Sequence, residues 1–158
     1  MAYSQELASA IETYFNDNQY KYTKNDNSND ECVYVLRVKL HCKLQNMQEL
    51  IIVRDDNFSV LGTIPIIADE NHRLAAAEYL TRVNYNLRSG NFELNMLDGD
   101  IRYKTFSLVG DGPISQDLIK NTIVLPILMI ERFADGLLSV LFDFSSPKEA
   151  FDAAILSH

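Results

Sequence analysis

From Cys32 to Leu44 the chain alternates apolar and polar residues with a period of two, the repeat of a half-buried β-strand. The residues Tyr34, Leu36, Val38, Leu40, Cys42 and Leu44 fall on one side, and Arg37, Lys39, His41 and Lys43 on the other. Two further apolar runs follow, Glu49 to Arg54 and Phe58 to Ile64, joined through the turn-favouring Asp55, Asp56 and Asn57. Three successive strands with short links predict an antiparallel meander. Its apolar face must be covered by another layer.

Helical periodicity elsewhere supplies that layer. Ala2 to Asn16 sets Tyr3, Leu7, Ile11, Tyr14 and Phe15 at steps of three and four, one face of a helix. A short strand is expected at Tyr20 to Thr23, before a polar loop from Asn25 to Asp30. Asp69 is placed to cap a helix starting near Glu70, with Leu74, Ala77, Leu80, Thr81 and Asn84 along its stripe. This helix feeds a hairpin in which Asp98 and Gly99 suit a two-residue type I′ turn. Facing positions then sum to 197, setting Met96 against Ile101, Leu94 against Tyr103 and Phe92 against Thr105. On the other face Glu93 meets Lys104 and Asn95 meets Arg102.

Ser115 reads as the N-cap of a long helix that is apolar almost all round, with Ile119, Ile123, Ile127, Ile130 and Phe133 on its stripe. Such a helix is either sandwiched in a core or set against a second subunit. Pro126 predicts a kink or split and Gly136 a second break. Ser146, Pro147 and Glu149 form a capping box for a short terminal helix. The expected whole is one α+β domain over residues 1–158. Its antiparallel sheet, a three-strand meander plus a hairpin, has helices on one face.

Fourteen Lys and Arg against 22 Asp and Glu give a net charge of −8, which argues against a nucleic-acid partner. The one long apolar stretch, Thr122 to Phe142, carries Glu131, Arg132 and Asp135 in its middle, so it reads as a buried helix and not a membrane span. The opening MAYSQELASAIETYF lacks the pattern of a signal peptide, and with two cysteines the expected setting is a reducing cytoplasm. Cys32 and Cys42 on one strand would lie about 33 Å apart, too far to bridge, and read as core residues.

His41, His72 and His158 are scattered, and no CxxC, HExxH, GxSxG, GxxxxGK[ST] or GxGxxG pattern occurs. Neither a metal nor a cofactor is therefore expected, and no catalytic residues can be assigned: the chain reads as a non-enzyme. Asp55 with Asp56, and Asp98 with Asp100, read as turn chemistry. The candidate ligand or peptide face is the basic stripe Arg37, Lys39, His41 and Lys43, joined by Arg88. The candidate core or dimer helix is the stripe from Ile119 to Phe133.

From Tyr79 to Phe106, YLTRVNYNLRSGNFELNMLDGDIRYKTF, the chain resembles the YbjN-domain family of bacterial proteins. The likeness continues in LIKN at Leu118, MIERF at Met129 and SPKEA at Ser146, whereas the first 60 residues match only in pattern. The resemblance implies a fold like that of type III secretion chaperones, often dimeric, with roles in sensory-transduction regulation or chaperone-like binding and no catalytic residues. Two functions follow as expectations. The first is a homodimeric, chaperone- or adaptor-like module for a protein or peptide. The alternative is a regulatory sensor with a small-molecule pocket between sheet and helices.

Overall fold

The computed structural model describes residues 2–26 and 28–157, so Asn27 of the expected polar loop and His158 lie outside the described residues. Four helices and six strands follow the chain: α1 (Gln5–Asp17), β1 (Tyr22–Asn25), β2 (Cys32–Lys39), β3 (Asn46–Val53), β4 (Asn57–Thr63), α2 (Arg73–Tyr85), β5 (Asn91–Leu94), β6 (Ile101–Leu108), α3 (Gln116–Leu141) and α4 (Pro147–Leu156). The strands form one antiparallel sheet in the order β1-β2-β3-β4-β6-β5. The meander thus gains β1 as a fourth strand, and the hairpin joins it through β6.

Alternation along each strand sends Tyr34, Ile51, Val60, Tyr103 and Phe92 toward the helices, where all five are buried. Two core clusters result. Leu7, Ile11 and Phe15 of α1 pack on the Cys32 end of the sheet; α2, α4 and the second half of α3 pack on the hairpin end. Helix α3 serves both, giving Ile119 and Ile123 to the first and Ile130 and Phe133 to the second.

At 26 residues α3 is about 39 Å long, and it runs unbroken past Pro126 and Gly136. The helix is neither split at Pro126 nor ended at Gly136, because partners fit both positions. Proline removes the donor for the carbonyl four residues back. That carbonyl, Thr122 O, accepts instead from Thr105 Oγ1 of β6 at 2.7 Å. Opposite Pro126 the sheet carries Gly62, where a Cβ would meet Pro126 Cβ at 3.1 Å and Ile130 Cδ1 at 3.0 Å, so its bare backbone lets the helix settle. At Gly136 the space is taken by Tyr79, whose hydroxyl donates to Phe133 O at 2.7 Å.

Four other expectations shift. Strand β2 stops at Lys39: Leu40 N–H donates to Gln45 O at 2.8 Å, and Gln45 takes φ +66°, closing a turn. Cys32 and Cys42 are therefore not on one strand, so the 33 Å separation does not apply; both are free thiols. Helix α2 starts at Arg73, because the Asp69 carboxylate accepts from the N–H groups of Asn71 and His72 and holds a turn ahead of it. Its buried side is Ala76, Tyr79, Leu80 and Val83, while Leu74 is exposed. Strand β1 begins two residues later than expected, at Tyr22.

The hairpin register differs as well. The loop spans Asn95 to Asp100, with Gly99 N–H donating to Asn95 O at 2.8 Å and Asn95 N–H to Asp100 O at 2.9 Å. Only Gly99 of the pair has positive φ, +81°, and it is pressed against Ala68, so the I′ geometry is not adopted. Facing positions sum to 195: Phe92 pairs with Tyr103 and Glu93 with Arg102. A slip of two residues preserves the faces, so Phe92 still points inward and Glu93 outward.

One inward position breaks the apolar pattern. Glu49 is 0% exposed, lies between Met47 of one core cluster and Ile51 of the other, and neither carboxylate oxygen has a hydrogen-bond partner among the described residues. Burial raises its pKa well above the ordinary carboxylate value. The folded chain then keeps this proton where the unfolded chain has lost it. Stability is greatest below the ordinary carboxylate pKa and falls as pH rises toward the folded-state pKa. Glu49→Gln should leave urea stability near pH 4 unchanged and raise it at pH 8. An equal effect at both pH values would contradict this.

Candidate functional site

Residues in an antiparallel strand alternate in the side toward which their main-chain groups bond. Ile64 N–H donates to Ile101 O at 3.2 Å and Val109 N–H to Asp56 O at 2.7 Å, so the odd-numbered residues of β6 bond toward β4. Asn95 N–H bonds to Asp100 O, so the even-numbered ones bond toward β5. Arg102 and Lys104 face Glu93 and Asn91 across that ladder. Phe106 and Leu108 face no strand, because β5 pairs only with residues 101–104. Their N–H and C=O groups form an open half-edge.

The sheet's outer edges differ. On β5 the main chain of Phe92 is occupied by the Asn84 carboxamide, which accepts from Phe92 N–H at 2.8 Å and donates to Phe92 O at 2.9 Å. Strand β1 is four residues long and carries Thr23, Lys24 and Asn25, a polar edge of the kind that discourages pairing. The open part of β6 is apolar instead, with Phe106 52% and Leu108 65% exposed. Beside it lies a groove of about 340 Å³, walled by Phe106, Leu118, Thr122, Leu125 and Leu128.

The groove floor is polar but satisfied. Thr122 Oγ1 donates to Leu118 O at 2.6 Å, which leaves its oxygen to accept from Ser107 Oγ at 2.8 Å. With the bond from Thr105, β6 and α3 are pinned together along the groove's length.

The sequence-derived candidates do not form one site. Arg37 and Lys39 lie exposed on β2, on the sheet face turned away from the helices. His41 and Lys43 are off the strand, in the turn, where their N–H groups donate at 3.0 Å to Glu131 and Asp135 of α3. Arg88 is exposed in the α2–β5 connection. Arg37 also borders a hollow of about 760 Å³ with Gln48, Thr63 and Pro65, at the strand ends and not between sheet and helices. Of the helix stripe, Ile119, Ile123, Ile130 and Phe133 are buried within the single chain and Ile127 is half-buried.

The titratable clusters have structural roles. His72 lies 2.8 Å from Asp69 through Nδ1 and 3.0 Å from Asp143 through Nε2, tying the start of α2 to the end of α3. The bond to Asp69, then that to Asp143, raises the His72 pKa. With both ring nitrogens engaged by carboxylates, the imidazole has no free nitrogen to act as a base. Burial pushes the Cys32 thiol up, away from thiolate chemistry. No three His, Cys, Asp or Glu side chains among the described residues are grouped to hold a metal ion. Among the described residues no helix is long and apolar enough to cross a membrane.

Sequence reading missed the half-edge because it follows from the register. A sum of 197 would have set Asn91 against Phe106; the six-residue loop draws β5 back by two residues. No protein-family model matches this chain, and no curated protein matches it.

Thr105→Val should cost about 1–3 kcal/mol, because it orphans the buried Thr122 carbonyl. In a Pro126→Ala background the helix supplies its own donor, so the same substitution should cost less than half as much. Equal losses in a denaturant double-mutant cycle would show that the Thr105 bond does not compensate for the proline.

Proposed function

We propose that the chain is a non-enzymatic protein-binding module, adaptor- or chaperone-like, that takes an extended segment of its partner as an added strand beside β6. The observation that carries this is the unpaired main chain of Phe106 and Leu108 next to an apolar groove, on a sheet whose other edges are covered or polar. Strand addition gains affinity from main-chain hydrogen bonds and selectivity from pockets for alternate side chains. An incoming strand would extend the line of β5, with alternate residues dropping into the groove against Leu118, Leu125 and Leu128.

The resemblance to the YbjN-domain family, with its chaperone-like fold and regulatory roles, supports the same class of function. A homodimer, where it forms, would have to use surfaces other than Ile119, Ile123, Ile130 and Phe133, which the single chain already buries. The small-molecule alternative has less support, because the hollow beside Arg37 lies outside the helix–sheet layer.

Peptides selected from a random display library on the full chain should protect the Phe106 and Leu108 amides from hydrogen exchange. Leu108→Pro removes an N–H that has no bonding partner among the described residues, so it should keep the circular dichroism spectrum and weaken those peptides by at least roughly tenfold. Full affinity in that variant would contradict strand addition.

A further inference from the structure

We infer that the open face of the sheet is a docking surface for an acidic, amphipathic protein segment. The observation is separate from the half-edge, although Phe106 and Leu108 belong to both surfaces. Val33, Val35, Leu50, Ile52 and Leu61 point away from the helices and belong to neither core cluster. The ladder aligns them in two neighbouring rows: Val35, Leu50 and Leu61 in one, Val33, Ile52, Ser59 and Phe106 in the other. They make a continuous apolar band across four strands.

The border of the band is cationic. Arg37 and Lys39 on β2 and Arg102 and Lys104 on β6 lie on this same face, set against Glu93 of β5 and Asp100 just before β6. Glu93 is engaged with Arg102 at 2.8 Å and with Lys104 at 3.7 Å. No ion-pair partner is found for Arg37 or Lys39 among the described residues. Four cations against two carboxylates give this face +2 in a chain of −8, so the rest of the molecule carries −10. Such segregation selects an anionic partner for this face and turns it away from the others.

Three features choose protein among anionic partners. The centre of the face is apolar, which a phosphate backbone does not match, and the −10 elsewhere repels long polyanions. The centre of the band is flat, with Leu61 only 9% and Ser59 7% exposed, and its two protruding apolar side chains, Phe106 and Leu108, stand at one margin, too few to anchor it in a bilayer. A segment with apolar residues along one side and Asp or Glu flanking them satisfies both the band and its border.

The test uses the same random peptide display library on the full chain, with Arg37→Glu/Lys39→Glu as the counter-selection bait. Enriched peptides should combine apolar residues with net negative charge, and charge reversal should weaken them at least roughly tenfold, less so at high salt. Arg37→Gln/Lys39→Gln should show an intermediate loss, which guards against misfolding of the reversed variant. Neutral or basic enriched sequences, no enrichment, or indifference to charge reversal would overturn the inference. So would charge-sensitive binding of a single-stranded oligonucleotide or phosphatidylserine vesicles in place of peptides, or self-association abolished by Val35→Asp. The strand-addition reading is judged separately: peptides lost on charge reversal but unchanged by Leu108→Pro support the face and refute the edge.

Discussion

The fold depends on how closely α3 approaches the sheet around Pro126. Among the described residues α3 is the one helix shared by both core clusters, and it lies across them where β4 offers Gly62 and β6 offers the Thr105 hydroxyl at the same place. A side chain at 62 would crowd Met47 of the sheet and Pro126 and Ile130 of the helix, and an apolar residue at 105 would leave the Thr122 carbonyl buried and unpaired. Proline in mid-helix is therefore accommodated by tertiary contacts. The compensation ties α3 to the last residues of β6.

That tie has a functional consequence. Because α3 covers the inner side of β6 out to Ser107, the strand is held in extended form although its second neighbour ends early. A rigid strand with unpaired main-chain groups is a template for another strand, whereas a frayed one would have to be ordered on binding. The open face next to it adds charge selection. Edge, groove and face meet at Phe106, whose main chain serves the first and whose ring borders the other two.

Much of this was legible in the residues. The period-two runs located β2 to β4, the steps of three and four located α1 and α3, and Ser115 and Ser146 cap their helices as their positions suggest: each side chain accepts from the N–H three residues on. What could not be read locally were features decided by contacts distant in sequence. The alternation from Leu40 to Leu44 looks like strand, but Glu131 and Asp135, some ninety residues on, hold it as a turn. Asp98–Gly99 is a strong two-residue turn signal, yet Ala68 bonds to Gly99 and selects a longer loop. Pro126 signals a break only if Thr105 is unknown. The basic stripe was half right for the same reason: Arg37 and Lys39 stay on the strand, and His41 and Lys43 leave it with the turn.

The central claim is that Phe106 and Leu108 are main-chain groups without partners in an otherwise ordered strand. Residue-resolved amide hydrogen exchange of the free protein tests it directly. Arg102, Tyr103, Lys104, Thr105 and Ser107 should exchange slowly, while Phe106 and Leu108 exchange orders of magnitude faster within the same strand. Protection at Phe106 and Leu108 equal to that at Lys104 would show the edge to be closed and would contradict the account.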